Sequence, residues 1–359
     1  MEKYELANFI CKANDTLVMA MEKIDFNARG IVYVVDREEH LVGSLSDGDI
    51  RRWILRKGSL DGSVFDACYR NVKYLHTSEL KYSIDFMRTN GIKSVPVLDE
   101  NYIITQILFM EDTVFADTKK YSDTLAAFPI IIMAGGKGTR LYPYTKILPK
   151  PLIPIGEVPI LERILNKFYD YGAEKFYLTV NYKKEMIKSY FMETDPPYSI
   201  QYIEETEPLG TAGSIRLIKK QFENPIIIAN CDSLIEVDYE EVLQYHLSSH
   251  NDMTIISSLK NIVVPYGVLE TREHGIIVSI HEKPQLSYMI NTGMYIVNPE
   301  FLEWIPENRV FHMTDLTEKM IEKGKQVGMY PISENSFLDM GEFEEMKRME
   351  EQINSGHVN

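Results

Sequence analysis

Gly135, Gly136 and Gly138 follow the apolar run Ile130–Ala134 and sit among Lys137, Arg140, Lys146 and Lys150. From Thr124 to Gly156 there is no Asp or Glu. Glycine lets bare backbone amides approach an anion closely, and cations without carboxylates between them make a local positive field. The whole chain has 38 basic and 53 acidic residues, a net charge of −15. This stretch is therefore a positive island in an acidic protein, suited to a polyphosphate. The alternative is a tight turn with a solvated basic face, but strand, glycines and acid-free stretch all coincide here. Two other phosphate motifs fail. A dinucleotide fingerprint needs a third glycine where Leu141 sits, and a Walker loop needs Gly-Lys-Ser/Thr after four intervening residues.

Such a loop needs a scaffold, and the periodicity supplies one. Beyond Pro129 short apolar runs alternate with amphipathic ones. Strands are expected at Ile130–Ala134, Phe176–Val180, Ile226–Ala229, Met253–Ser257, Ile276–Ile280, Asn291–Val297 and Val327–Tyr330. Helices are expected over 159–171, 184–192, 239–249, 315–323 and 342–353. This alternation predicts an α/β domain with a largely parallel sheet covered on both faces. Ligands then bind outside the carboxyl ends of the strands, after Ala134, Val180 and Ala229.

The Ala-Gly-Gly-Lys-Gly-Thr-Arg-Leu run from Ala134, followed by Leu148-Pro149-Lys150-Pro151, resembles the signature of sugar-1-phosphate nucleotidyltransferases. The resemblance extends over about residues 128–354. Glu207-Pro208-Leu209-Gly210-Thr211-Ala212-Gly213 is similar to the family's base- and ribose-contacting loop. Asn230-Cys231-Asp232 resembles its metal-binding strand end, with Cys231 where members usually carry Gly. Tyr266-Gly267-Val268, Glu282-Lys283-Pro284 and Asn291-Thr292-Gly293 resemble the sugar-phosphate site, and Asp339-Met340-Gly341 the second metal carboxylate. The resemblance implies a glycosyltransferase-A-like, Rossmann-like mixed sheet. It implies transfer of a nucleotidyl group from an NTP to a sugar 1-phosphate, with release of pyrophosphate.

Phosphoryl chemistry asks for the same residue types. Two anions must meet, so their repulsion must be neutralised and the α-phosphorus held in line. A hard dication such as Mg²⁺ needs carboxylate oxygens, for which Asp232 and Asp339 are the natural pair. Arg140 and Lys150 are expected to stabilise the triphosphate and the transferring phosphorus. Ala134, Gly135, Gly136, Gly138, Thr139, Leu209, Gly210, Thr211 and Gly213 are expected to bind the nucleotide. Lys283 is expected to hold the sugar's phosphate, with Glu282, Gly267, Asn291 and Asn181 around the sugar. No general base is required, because a phosphate oxygen is already ionised. The wording of 209–213 also resembles guanylyltransferases, and Glu204, Glu205 and Glu207 offer acceptors for guanine's N1–H and 2-amino group. GTP is therefore the expected donor, with UTP, dTTP or CTP as alternatives.

The first third repeats itself. A shift of 63 residues aligns Leu17 with Leu80, Asn27 with Asn90, Val32 with Val95, Val34 with Val97, Asp36 with Asp99 and Asp49 with Asp112. This segment resembles a tandem pair of CBS domains over 1–120, with α+β repeats at about 1–60 and 64–120. A linker is expected at 121–127 before a catalytic domain at 128–354. In the CBS family a hydroxyl and a carboxylate hold a nucleotide's ribose. Gly43, Ser46 and Asp49 fit that pattern, whereas the second copy has Gln106, Phe109 and Asp112. Two readings stand: an adenosine-nucleotide sensor, or a purely structural dimerisation module. CBS pairs often associate, so a homo-oligomer is expected.

About −12 of the net charge falls on residues 123–359, which repels nucleic acid and anionic lipid. No apolar stretch approaches the roughly 20 residues needed to span a bilayer. The opening residues do not read as a signal peptide. Cys11, Cys68 and Cys231 lie far apart without a CxxC spacing, which fits a reduced, cytoplasmic setting. The layout resembles guanylyltransferases that supply nucleotide-sugars for bacterial surface glycans and glycoproteins, among them a glucosamine-1-phosphate guanylyltransferase of legionaminic acid synthesis. The rival is a nucleotide-sensing binding protein that has lost catalysis.

Overall fold

The computed structural model describes residues 6–110, 123–341 and 343–354. The chain divides into two compact units, Met1–Lys119 and Lys120–Asn359.

The first unit builds one small sheet twice. Strands β1 (Ile10–Lys12), β2 (Ile31–Val35) and β3 (Leu41–Ser46) form one sheet, and β4 (Leu75–His76), β5 (Ser94–Leu98) and β6 (Ile104–Phe109) the other. In each the first pair is parallel and the second antiparallel. The turns match atom for atom. Asp36 Oδ1 accepts the amides of Glu38 and His40, and Asp99 Oδ1 those of Asn101 and Ile103. Glu39 and Tyr102, 63 residues apart, both take the left-handed conformation. The sheets share a core in which Phe9, Tyr33 and Val35 pack with Leu98, Ile107 and Phe109.

The second unit is α/β. Its strands are β7 (Ile130–Ala134), β8 (Pro154–Ile155), β9 (Val158–Pro159), β10 (Lys175–Val180), β11 (Ser199–Glu204), β12 (Ile226–Asn230), β13 (Ser233–Ile235), β14 (Met253–Val263), β15 (Val268–Arg272), β16 (Ile276–His281), β17 (Gln285–Val297), β18 (Val327–Ile332) and β19 (Phe337–Asp339). Seven of them form one mixed sheet in the order β11, β10, β7, β12, β17, β14, β18. Only β17 runs against the rest, pairing antiparallel with β12 and β14. The other neighbours are parallel. Strand β7 is buried on both faces: Ile130, Ile132 and Ala134 enter one apolar cluster, Ile131 and Met133 the other. The Ile160–Tyr169 helix buries Ile160, Leu161, Ile164, Leu165 and Phe168, a stripe at helical spacing. Leu125, inside the expected linker, is fully buried in this unit's core, and its amide donates to the Tyr171 carbonyl. Tyr121 and Ser122 lie outside the described residues.

Candidate active site

Because β7, β10, β11 and β12 are mutually parallel, their carboxyl ends share one edge of the sheet. Residues at or beyond those ends line a cleft of about 430 Å³. Among them are Gly135, Gly136, Gly138, Thr139 and Arg140 after β7, Thr179 in β10, Glu205, Gly210 and Thr211 after β11, Asn230 at the end of β12, and Cys231 and Asp232 just after it; Lys150 joins them.

Lys150 is buried, and its ammonium pairs with the Asp232 carboxylate. Gly138 makes the approach possible. It is left-handed at φ +62°, and a Cβ there would stand 3.0 Å from the Cβ of Lys150 and from Thr145 Cγ2. Asp339 reaches the same centre through β19, which pairs with β13 so that Asp339 lies opposite Ser233. The Ser233 hydroxyl is 3.3 Å from Asp232 Oδ1 and 3.2 Å from Asp339 Oδ1. Burial, and then the nearby negative charge of Asp232, push the Asp339 carboxyl up to about 6. Arg140 Nη1 and Asp339 Oδ2 both border Gly341, 3.5 and 2.7 Å from where a Cβ would stand. Burial and the Asp232 charge also push the Cys231 thiol up, so this cysteine is neutral. Two carboxylates meeting at one hydroxyl, with a buried lysine on one, form a centre for hard cations and phosphate oxygens.

Glu205 lies at the other end of the cleft. It is buried, and burial raises its pKa. Its carboxylate packs on Gly135, where a Cβ would collide with it, and its Oε2 accepts the Leu209 amide at 3.3 Å. The Asn181 side chain donates to the Glu205 carbonyl at 2.9 Å, which gives Asn181 a task in holding the loop. The Thr179 hydroxyl is buried and has no partner. Thr179, unlike Asn230, carries no motif signal. It becomes visible only when the strands are in order.

The glycines of 209–213 have a reason the sequence did not reveal. A Cβ on Gly210 would stand 2.6 Å from the Phe311 carbonyl, and one on Gly213 2.6 Å from the Arg309 carbonyl. The amides of Ala212 and Gly213 both donate to Phe311 O, and Phe311 N donates to Leu209 O. Thr211 N donates to His312 Nδ1 at 3.3 Å, and Met313 N to Thr211 Oγ1 at 3.0 Å. Segment 309–313 is thus a brace for the loop.

The remaining expected residues do not line this cleft. Ala134, Leu209 and Gly213 are buried beneath it. Asn291 is engaged at both ends of its amide, accepting from Gly293 N and donating to the Tyr295 hydroxyl. Gly267, Glu282 and Lys283 flank β15 and β16, with Glu282 Oε2 3.0 Å from where a Gly267 Cβ would stand. In the first unit, Ser46 and Asp49 form a capping box for helix Asp47–Lys57, and Asp49 also pairs with Arg52 at 2.6 Å. Gly43 leaves room for Cys68, whose Sγ would be 2.6 Å from an added Cβ. Each of the three thus has a structural task. Asp112 lies outside the described residues.

Residues 130–356 match the family model described as nucleotidyl transferase, and residues 7–56 that of the CBS domain. The bifunctional protein GlmU of Methanococcus maripaludis is 35% identical over 209 residues, 55% of this chain and 48% of that protein. The D-glycero-alpha-D-manno-heptose 1-phosphate guanylyltransferase of Aneurinibacillus thermoaerophilus is 32% identical over 225 residues, 62% of this chain and 97% of that protein. The crystal structure of HddC from Yersinia pseudotuberculosis matches with a TM-score of 0.51 and 28% identity, covering 63% of this chain and 99% of HddC. HddC complexed with GMP-PN matches at 0.50. The chain spans about half the length of several curated relatives, including GlmU. Among the described residues no helix is long and apolar enough to cross a membrane.

Proposed function

Since the chain belongs to the nucleotidyl transferase family and carries an N-terminal CBS domain, we propose that it joins a nucleoside triphosphate, GTP by preference, to a sugar 1-phosphate, giving a nucleotide-sugar and pyrophosphate. One observation carries this reading. The glycine loop, Lys150, Asp232 and, through Ser233, Asp339 converge at the carboxyl edge of one sheet. The amides of Gly135–Thr139 and the Arg140 guanidinium receive the triphosphate. Lys150 neutralises charge at the transferring phosphorus, and its pairing with Asp232 keeps it in place. A sugar-phosphate oxygen attacks the α-phosphorus, the bond to the β-phosphate breaks, and pyrophosphate leaves. The work of the protein is alignment and charge neutralisation.

Asp232 and Asp339 fit a divalent cation, Mg²⁺ in this reading. Both are hard oxygen donors; burial and then the charge of Asp232 raise Asp339, and the second of these is the kind of repulsion a dication relieves. When bound, the cation screens the phosphates from one another. Glu205 supports guanine. A buried carboxylate accepts from N1–H and the 2-amino group together, whereas adenine offers no such pair. The Thr179 hydroxyl is free to donate to a base carbonyl. Gly267, Glu282, Lys283 and Asn291 are the proposed sugar-phosphate residues. A reduced cytoplasmic setting fits three free cysteines.

The test is pyrophosphate release on mixing the full chain, Mg²⁺, each of five NTPs and a panel of mannose, glucosamine and heptose 1-phosphates. GTP is expected to lead by at least ~10-fold in kcat/KM, the scale of one unsatisfied polar group. Asp232→Asn is expected to lower turnover by at least ~100-fold. Absence of release with every pair refutes the transferase reading. A lead for UTP, dTTP or CTP refutes the guanine choice alone.

A further inference from the structure

Between Arg140 and Lys150 the glycine-rich loop contains a four-residue helix, Tyr144–Ile147. So short a helix leaves its last carbonyls as orphans that other groups must receive. Each of the four has a donor here. The Leu148 amide donates to the Tyr144 carbonyl at 3.0 Å. The Tyr182 hydroxyl donates to the Thr145 carbonyl at 3.0 Å. The Lys183 ammonium donates to the Lys146 and Ile147 carbonyls at 2.7 and 2.6 Å. Tyr182 and Lys183 belong to a different part of the sheet. They lie between the end of β10 at Val180 and the helix Lys184–Thr194. Lys183 takes the left-handed conformation, φ +51°, which a residue with a Cβ holds where its surroundings fix it.

The short helix in turn holds the cleft. Thr145 is buried, and its hydroxyl donates to the Gly138 carbonyl at 2.8 Å. A trans peptide unit is planar, so its N–H points opposite to its C=O. Anchoring the Gly138 carbonyl on Thr145 therefore fixes the direction of the Thr139 amide. Thr145 Cγ2 and Lys150 Cβ both border Gly138, so the two ends of the loop meet at this glycine. Apolar packing does not hold the helix, because Tyr144, Lys146 and Ile147 are exposed. The hydrogen bonds from residues 182 and 183 do. We propose that Tyr182, Lys183 and Thr145 are positioning residues, which fix the Thr139 amide and Lys150 for the triphosphate. None of the three lines the cleft, so they act through the loop and not on the nucleotide. The proposal rests on the reading of that loop as the triphosphate cradle.

The test is steady-state pyrophosphate release by the full chain, varying in turn the leading NTP and sugar 1-phosphate of the panel above. Lys183→Met and Tyr182→Phe should each raise KM for the NTP by about 10-fold, the scale of one lost hydrogen bond, and leave KM for the sugar 1-phosphate within about a factor of two. Tyr182→Phe removes no charge, so a shift shared by both variants is not an effect of the lysine's field. Lys183→Arg can still donate to two carbonyls and should keep the wild-type constants. Thr145→Val keeps the shape without the hydroxyl and should shift the same KM, whereas Thr145→Ser should not. Circular dichroism reports whether each variant folds, and if Thr145→Val does not, the Tyr182 and Lys183 variants decide. A purely structural role would lower kcat through lost active protein and leave both KM values in place, which overturns the proposal. Equal shifts in both KM values overturn it too. A wild type that releases no pyrophosphate overturns the transferase reading and this proposal with it. An active wild type whose variants match it overturns this proposal alone.

Discussion

At the scale of single residues, two carboxyl groups inherit different work from different surroundings. Asp339 is raised to about 6, by burial first and then by the charge of Asp232. Glu205 sits beside glycine and backbone, its carboxylate accepting the Leu209 amide. In the proposed function Glu205 chooses the base, and replacing it tests that directly. Glu205→Gln keeps the shape but exchanges one acceptor for a donor, leaving one guanine N–H without an acceptor. With GTP, kcat/KM should fall about 10- to 100-fold, from ~1–3 kcal/mol per unsatisfied group. UTP and dTTP, which carry both an N–H and carbonyls on the pairing edge, should lose less or gain. Equal losses for all nucleotides in steady-state assays would make Glu205 a structural residue only. The glycine loop and Lys150 were legible in sequence, because the glycines, the cations and the missing carboxylates are neighbours in the chain. Glu205 could be read only as one of several nearby acceptors, and Thr179 not at all. What distinguishes them is adjacency of β10 and β11 in the sheet, which no local pattern encodes.

At the scale of elements, most strands and helices followed from periodicity, and the exceptions share a cause. β11 (Ser199–Glu204) is a half-exposed edge strand with a weak apolar signal, and it was not anticipated. β14 runs to Val263 and β17 begins at Gln285, because both continue past the apolar runs that marked them and pair with each other there. The long β17 also introduces the one antiparallel strand into a sheet expected to be largely parallel. The brace at 309–313 was hidden for a similar reason: its partners lie about 100 residues away. Gly210→Ala tests it. The change puts a Cβ 2.6 Å from Phe311 O at a φ of +80°. It should raise KM for the nucleotide by about 10-fold or more, given a local strain of order 1–3 kcal/mol, and leave KM for the sugar 1-phosphate within a factor of two. Equal effects on both would place the damage outside the loop.

The helix Tyr239–Ser248 carries a second test at this scale. His246 is buried, and burial lowers its pKa. Asn298 Nδ2 donates to the Asn251 carbonyl, which leaves Asn298 Oδ1 facing His246 Nε2 at 3.1 Å. Nε2 therefore donates, and Nδ1 accepts from the Thr254 hydroxyl at 2.8 Å. The folded state thus holds a neutral imidazole, while the unfolded chain takes up a proton near ~6.5. Below that pH the unfolded state binds more protons, so stability falls as pH falls, by up to about 1.4 kcal/mol per pH unit until the folded imidazole also titrates. Asp339 acts with the opposite sign: raised on folding, it loses stability as pH rises from about 4 towards 6. The difference between wild type and His246→Gln removes that common contribution. In denaturant melts the gap between the two proteins should shrink as pH falls from 7 to 5.5. A constant gap would mean that His246 titrates alike in the folded and unfolded chain, and a widening one that it is charged when folded.

At the scale of the whole molecule, the catalytic motifs and the repeated segment occupy separate compact units, and each closes its own core. The second unit's core reaches back to Leu125, which is fully buried and bonded to Tyr171. The functional boundary therefore lies before this leucine, and the stretch expected as a linker at 121–127 contributes in part to the second unit's core. A chain that begins at Tyr121 keeps Leu125 and every cleft residue, so it should fold and release pyrophosphate at a rate within a few-fold of the full chain. A chain that begins at Pro129 loses the leucine and leaves a cavity against the Ile130–Ala134 strand. The expected cost is ~2–5 kcal/mol, the range for emptying a buried leucine site. Its urea midpoint should drop accordingly, with activity surviving only well below that midpoint. Equal midpoints for the two truncations would show that residues 123–128 contribute nothing to the core. An inactive but well-folded chain from Tyr121 would instead assign the first unit a direct part in catalysis, which the cleft residues, all beyond Tyr121, do not require.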